Sequence, residues 1–346
     1  MARAYALRTT DVTAAHLGWV LTDELLDRDG RRLVRKGAIL DSAVLARLAE
    51  AQPGEVHLIE LDADDLHEDA AGLRIARAVA GAGIRIANPQ QSRYDLIAEH
   101  KGLPRVDADL LRAVNRVGDV TVYTMLDRQP VDAGTVLASV KITPIAIVEA
   151  RVVAVERLCR AAAQPLLMIQ PFQPKRVAVV TTEDLGPQAR ARFQAAIERK
   201  LRWLGSELTD LRVVGPTADA VAATFRDFLA ADNDIVLAAG GNTIDPLDPI
   251  ELALDLIGAP IVHRGAPTRG SMFWLAQAGA VPIVNLASSR MYIGGAVGDV
   301  ILPLLLSSTG QQITPDDIIE IGYGGLPGSA IALRFPPYDA EPSDET

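Results

Sequence analysis

A chain of 346 residues is long enough for two ordinary domains, and its 49% hydrophobic and 4% aromatic residues suit a soluble protein with an aliphatic core. The formal net charge of −10 excludes the broadly basic surface on which nucleic-acid binding depends, so we expect no nucleic-acid partner. A single cysteine, Cys159, excludes an internal disulfide and a cysteine-based metal cage.

The first residues lack the apolar segment of a signal peptide, and no later stretch reaches the roughly 20 apolar residues that a membrane span needs. We therefore expect a cytoplasmic protein without a membrane partner. Residues 1–170 are predicted to form an α+β region, with a division into two small subdomains left open. Its first part is β-rich, with strand-like runs at 18–21 and 56–59 and a helix over 42–51 that Asp41 can cap.

Hydrophobic spacing predicts the remaining elements of this region. They are helices over residues 65–82, 107–117 and 149–162 and strands over residues 120–125, 136–138 and 141–148. Two prolines between residues 169 and 175 resist helix formation and set a boundary to the second domain.

Beyond residue 171 the pattern changes to an alternation of apolar strands and amphipathic helices. Strands are predicted over 176–182, 211–214, 234–239, 259–263 and 281–285, and helices over 187–204, 218–231, from about 249, and over 296–306. Such alternation predicts an α/β fold, here a three-layer domain over 171–310 whose mostly parallel sheet is covered by helices on both faces. A terminal strand near Glu320 and a disordered acidic tail are predicted within 311–346.

Ligands of open α/β sheets bind beyond the carboxyl ends of the strands, so the loops that follow strands are the candidate binding segments. Four loops are rich in glycine, hydroxyl or charged residues, at 181–184, 240–248, 264–271 and 287–290. Gly240 and Gly241 allow close approach of the backbone to an anion, and the following helix turns its N-terminal amides to the same place. Asp248 is expected to cap that helix.

The same loops offer polar side chains to an anionic ligand. Arg269 and Arg290 can make bidentate contacts with an anion. Ser271, Ser288 and Ser289 are neutral donors, and Asn242 with Thr243 add hydrogen-bond partners beside the glycines. Glu183 and Asp184 are candidate ligands of a magnesium ion that accompanies phosphate oxygens.

Taken in order, these loops resemble the molybdopterin-binding domain shared by molybdopterin adenylyltransferases, molybdopterin molybdotransferases and gephyrin. Residues 179–184 (VVTTED) resemble a family strand that ends in a Thr-Gly-Asn/Asp-Glu loop, and residues 238–248 (AAGGNTIDPLD) resemble its Thr-Gly-Gly-Thr loop with a later aspartate. Residues 265–272 and 284–289 fall where the family has its Pro-Gly-Lys/Ala and Leu-Pro-Gly segments. The N-terminal half is similar, by order and spacing, to a group of two-domain molybdopterin-binding proteins through residues 35–37, 66–69 and 102–107.

The resemblance implies a small-molecule pterin ligand, molybdopterin or the molybdenum cofactor, that carries a terminal phosphate and a dithiolene. By position, the implied cofactor-binding residues are Thr181, Thr182, Glu183, Gly240, Gly241, Asn242, Thr243, Asp245, Arg269, Gly270, Ser271, Ser288 and Ser289. Asp248 matches the acidic residue that assists adenylyl transfer or metal insertion. The family also implies self-association into a homo-oligomer.

Three functions follow as hypotheses from this interpretation. The first is a molybdopterin-binding protein of cofactor biosynthesis or delivery, similar to a molybdotransferase. The second is a non-catalytic chaperone or sensor that binds the cofactor and docks to a molybdoenzyme. The third is a nucleotide-pyrophosphate hydrolase on the same fold.

Overall fold

The computed structural model describes residues 2–90, 92–240, 245–286, 297–307 and 313–323. It divides into two compact units, one of Met1–Asp127 with Val131–Ile169 and one of Arg128–Pro130 with Gln170–Thr346. No helix within these described ranges is long and apolar enough to cross a membrane. The boundaries proposed from the sequence at residues 170 and 310 stay predictions.

The first unit begins with a small β-rich module, as predicted. Its elements are β1 (Arg3–Arg8), β2 (Val20–Leu21), β3 (Leu25–Leu26), β4 (Arg32–Val34), α1 (Ser42–Leu48) and β5 (Glu55–Glu60). β5 pairs antiparallel with β1 and β2, and β3 pairs with β4. The predicted cap of α1 is confirmed, because Asp41 Oδ1 accepts a hydrogen bond of 2.7 Å from the amide of Val44.

The rest of this unit packs helices against a four-stranded antiparallel sheet with the order β10-β11-β8-β7. Its elements are β6 (Asp65–His67), α2 (Glu68–Val79), β7 (Ile84–Gln90), β8 (Arg93–Ala98), β9 (Gly102–Val106), α3 (Ala108–Asn115), β10 (Val120–Thr124), β11 (Val136–Ile142), β12 (Ala146–Val148) and α4 (Glu149–Ala161). Helix α2 contacts β8, β11 and α4, which places it over the apolar core of the unit. A further strand, β13 (Leu167–Pro171), pairs with β9.

Two element predictions in this region are wrong. The stretch 65–82 begins as strand β6, which pairs with β12, and becomes helical only at Glu68. The extended backbone of His67 also lets its ring nitrogen Nδ1 accept from the amide of Asp69 at 3.1 Å, which caps α2 at the point where the strand ends. The predicted strands at 136–138 and 141–148 have other bounds in the structure. One strand, β11, extends from Val136 to Ile142, and the short strand β12 covers Ala146–Val148.

An ion pair joins α2 and α4 and gives folding a pH dependence. Arg74 donates from Nε and Nη2 to the two carboxylate oxygens of Glu156 at 2.8 and 2.9 Å, and these hydrogen bonds lower the pKa of Glu156. A carboxyl group whose pKa is lowered by folding stabilises the native state above its unfolded pKa, near 4.5, and loses that contribution as pH falls through the folded value.

We expect the variant Glu156→Gln to lose about 1 kcal/mol of unfolding free energy at neutral pH and much less in acid, because protonation removes the same charge from the wild type. Urea denaturation at several pH values measures this. The matched control is Glu50→Gln, an exposed glutamate. An equal loss for Glu156→Gln at neutral and acidic pH would contradict the assignment.

The second unit is built on a six-stranded sheet with the order β15-β14-β16-β19-β18-β17. Its elements are β14 (Arg176–Thr181), α5 (Pro187–Trp203), β15 (Glu207–Val213), α6 (Ala218–Ala230), β16 (Ile235–Ala239), α7 (Pro249–Ile257), β17 (Ile261–Arg264), β18 (Trp274–Ala278), β19 (Val281–Leu286), α8 (Val297–Ser307) and α9 (Pro315–Ile319). Strands β15, β14, β16 and β19 are mutually parallel, and β18 runs antiparallel to both of its neighbours. The prediction of an α/β fold with a mostly parallel, helix-covered sheet is confirmed.

Helices cover both faces because successive strand residues point to opposite sides. On one face, Ala178 and Val180 of β14 pack with Phe225 of α6 and Leu254 of α7 in one buried cluster. The alternate residues of β14 are buried as well, and α5 contacts the adjoining strand β15. Helix α5 is joined to α8 by an ion pair between Lys200 and Asp299.

Two features of this unit differ from the sequence prediction. Strand β18 was not predicted, because its sequence, Trp-Leu-Ala-Gln-Ala, has no clear alternation and no β-branched residue. The predicted strand near Glu320 is wrong, since residues Glu320–Gly322 form a 3₁₀ turn after α9. The guanidinium of Arg128 pairs with both Asp317 and Glu320, and their spacing of three residues presents both carboxylates on one side of a helical turn.

Candidate functional site

The carboxyl ends of the parallel strands lie side by side at one edge of the six-stranded sheet. Thr181 of β14 is in register with Val213 of β15 and with Ala239 of β16, and Ala239 is in register with Leu286 of β19. The loops that leave these strands therefore start within about one strand spacing, roughly 4.8 Å, of their neighbours. The first and second loops that the sequence singled out begin at this edge, and β19 ends there before the fourth loop, which lies outside the described residues.

The loop after β14 touches the loop after β16. Gly240 has a φ of +87°, and a Cβ built on it would lie 2.8 Å from Cγ and 3.0 Å from Oε1 of Glu183. Glu183 is itself held by the end of β14, because its amide donates to the hydroxyl of the fully buried Thr181 at 3.2 Å. Two residues singled out from separate sequence segments, Glu183 and Gly240, are thus brought into contact.

Helix α7 follows the second loop, and Asp248 caps it as predicted. Oδ1 of Asp248 accepts from the amide of Ile250 at 2.9 Å, and Asp248 is only 6% exposed. The exposed Asp245 forms a turn before the helix, since its Oδ1 accepts from the amide of Leu247 and its carbonyl from the amide of Asp248. An acidic side chain with this burial and fixed position can accept a proton from a neighbouring group or hold a cation.

A second carboxylate in the first turn of α7 fixes the helix to the sheet. Glu251 is 9% exposed and accepts from Nη1 and Nη2 of Arg264, the last residue of β17, at 3.0 and 2.6 Å. These hydrogen bonds raise the pKa of Arg264. The fork geometry ties the N-terminal turn of α7, and with it Asp248, to the edge of the sheet.

The third loop connects β17 and β18 as a hairpin. Arg269 and Ser271 are exposed, and Gly270 adopts a φ of +85°. The loop is held by hydrogen bonds from the amide of Ala266 to the carbonyl of Ser271 and from the amide of Val297 to the carbonyl of Arg269. Since β19 and β18 lie between β16 and β17, this loop starts about 14 Å along the sheet from Gly240. It belongs to the same edge without adjoining the first two loops.

Several predicted site residues fall where no geometry is described. Gly241, Asn242, Thr243, Ser288 and Ser289 lie outside the described residues, so their roles stay predictions. Thr182 is half-buried and Asp184 is exposed. Within the described ranges, no group of three or more histidine, cysteine, aspartate or glutamate side chains is placed to hold a metal ion, and the magnesium site proposed at Glu183 and Asp184 also stays a prediction.

Sequence reasoning missed Asn285 as a site residue. It is the penultimate residue of β19, is 4% exposed, and its side-chain oxygen has no hydrogen-bond partner in the described part of the chain. A buried amide oxygen without a donor costs about 1–3 kcal/mol, so such atoms concentrate where a ligand or water completes them. The signal was available in the sequence, because Asn285 is the one polar residue in the apolar run 281–286.

No family model and no curated protein matches this chain. Among solved structures, the molybdopterin biosynthesis Mog protein from Mycobacterium ulcerans is similar at 19% identity over 44% of this chain and 95% of its own, with a TM-score of 0.28. The molybdopterin biosynthesis moea protein from Pyrococcus horikosii is similar at 13% identity over 70% of this chain and 79% of its own, with a TM-score of 0.29. Likenesses at these values carry no argument about what this chain binds.

Proposed function

We propose that the second unit binds a pterin with a terminal phosphate, molybdopterin or a close precursor, at the carboxyl edge of its six-stranded sheet. One observation carries the proposal. Glu183 and Gly240, which belong to two of the loops that resemble the molybdopterin-binding motifs, lie against each other at this edge although 57 positions separate them along the chain, and Asp248 caps the helix that follows the second loop. Ligand sites of α/β sheets occupy the corresponding place.

The described residues fit such a ligand chemically. The buried oxygen of Asn285 requires a donor, and a pterin ring carries N–H and amino groups. Arg269 and Ser271 are exposed donors for a phosphate at the far side of the edge. The amide of Ile250 is already taken by the carboxylate of Asp248, so the phosphate is not placed on that donor of α7.

The finer proposal is a molybdotransferase-like role in cofactor biosynthesis. Bound molybdopterin would supply a dithiolene that takes up molybdenum, which is a substrate here rather than a resident metal. Asp248 would act at the reacting end of the pterin, because it is the buried carboxylate of the second loop. A homo-oligomeric state and a molybdoenzyme that receives the cofactor are further parts of this proposal and rest on the loop resemblance.

Asp248 allows its helix-capping role to be separated from its charge. Asparagine caps helices about as well as aspartate, so the free energy of unfolding of Asp248→Asn is expected to lie within about 0.5 kcal/mol of the wild-type value. Asp248→Ala removes the cap and is expected to lower the free energy of unfolding by about 1 kcal/mol. If the charge is used in the reaction, Asp248→Asn retains molybdopterin binding and loses about a hundredfold in molybdate-dependent product formation. Calorimetric titration with freshly prepared molybdopterin and a single-turnover assay measure the two.

The matched control is Asp255→Asn, an exposed aspartate on the same helix, which should change neither quantity. Absence of molybdopterin binding by the wild type would overturn the proposal as a whole. Binding with full product formation in Asp248→Asn would overturn only the role assigned to its charge.

A further inference from the structure

A cavity of about 340 Å³ opens between α2 and α4 in the first unit. It is lined by Arg74, Arg77 and Ala78 of α2 and by Glu156, Cys159 and Arg160 of α4. Each helix contributes residues at positions i, i+3 and i+4, the spacing that puts side chains on one face. The two helices pack together, and these residues line the groove between them with Arg77 and Arg160 exposed at its mouth.

The three guanidinium groups in this cavity have different partners. Arg74 is fixed by its fork to Glu156 and by a further hydrogen bond to Glu149. Arg77 makes no hydrogen bond or ion pair with any described residue, and Arg160 acts on Glu156 only through its charge. Three positive charges face the two carboxylates that Arg74 already engages, which leaves a local excess of one positive charge in a chain whose net charge is −10.

We infer that this cavity binds a small phosphorylated ligand, with the phosphoryl group held between Arg77 and Arg160. Guanidinium groups bind phosphate oxygens through paired N–H donors, and two that approach from different helices can contact different oxygens. Ala78 also lines the cavity and contributes only a single methyl group to its wall. Arg74 remains with its two carboxylates and forms one wall of the site.

Both unpaired arginines also lie in the last turn of their helices, where a cation offsets the partial negative charge of the free carbonyl groups. If that were their only role, removal of either arginine would lower the stability of the protein, and the cavity would bind no ligand. The experiment must therefore report on occupancy of the cavity. This inference is independent of the function proposed for the second unit.

The alkylation rate of Cys159 measures occupancy of the cavity, because this residue lines the cavity and is the only cysteine of the chain. Burial raises the pKa of its thiol, so a slow alkylating reagent such as iodoacetamide can be followed under pseudo-first-order conditions. The full chain is treated with and without diphosphate, with sodium chloride at equal ionic strength as the reference. At a diphosphate concentration about ten times the dissociation constant, the alkylation rate should fall about tenfold, because occupied molecules do not react.

The double variant Arg77→Ala/Arg160→Ala should lose this protection, whereas the matched control Arg157→Ala, an exposed arginine on α4 outside the cavity, should keep it. Calorimetric titration of diphosphate into Cys159→Ser, with and without the two arginine substitutions, tests the same site without the thiol. No protection beyond the chloride reference, or protection that persists in the double variant, would overturn the inference. Inorganic phosphate and citrate, run in parallel, show whether the phosphoryl group or anionic charge alone is recognised.

Discussion

Replacement of Gly240 by alanine is expected to lower the free energy of unfolding by about 2–3 kcal/mol and to abolish binding at the sheet edge. The backbone at Gly240 has a φ of +87°, a region that costs a residue with a Cβ about 1–2 kcal/mol. The added methyl group would also lie 2.8 Å from Cγ of Glu183, closer than carbon atoms can approach without a shift. Urea denaturation and pterin titration measure the two effects.

A double-mutant cycle separates the two causes. Glu183→Ala removes the atoms that the new methyl group would meet, so the variant Gly240→Ala/Glu183→Ala should recover the part due to contact and retain the part due to φ. The control is Gly215→Ala, where φ is not in the left-handed region and an added Cβ meets nothing within 4 Å. Equal stability of Gly240→Ala and Gly215→Ala would contradict both causes, and no recovery in the double variant would contradict the contact between the two loops.

The second large effect is expected for Arg264→Ala, which leaves the buried carboxylate of Glu251 without its partner. Removal of one member of a buried ion pair is strongly destabilising, and we expect a loss of about 2 kcal/mol because 55% of the Arg264 side chain is exposed to solvent. The N-terminal turn of α7 is held to β17 by this pair, so affinity for the proposed pterin should fall with it.

Urea denaturation of Arg264→Ala, Glu251→Gln and the double variant gives the coupling between the two side chains. Glu251→Gln removes the negative charge that Arg264→Ala would leave buried without a partner. The double variant should therefore have a higher free energy of unfolding than Arg264→Ala alone. Arg192→Ala, an exposed arginine of α5, is the control. A loss in Arg264→Ala no larger than in that control would contradict the role of the pair.

The sequence predicted elements of the second unit well where the pattern was local. The apolar run within 176–182 predicted a buried parallel strand, and residues 177–181 of β14 are buried. The position of Asp248 before a proline and an apolar helix predicted a cap, which its bond to Ile250 confirms. Both features depend only on a few residues that are neighbours in the sequence, so the local sequence is sufficient to predict them.

The sequence was weaker where partners are distant. Strand β6 exists because residues 65–67 find β12 some 80 positions later, and helix propensity alone favoured the opposite assignment. Strand β18 is stabilised by pairing with both β17 and β19, which its own residues do not signal. Tertiary pairing overrides weak local preference in both cases.

For the candidate site, the sequence by itself determined which loops carry glycine, hydroxyl and acidic residues and that Asp248 begins a helix. Only the tertiary structure decided that Glu183 lies against Gly240 and that the loop of Arg269 is displaced along the sheet. It also showed that the buried side-chain oxygen of Asn285 has no partner among the described residues. The physical reason is the strand order, which sets the distance between loops and is fixed by the packing of whole helices and strands rather than by any short segment.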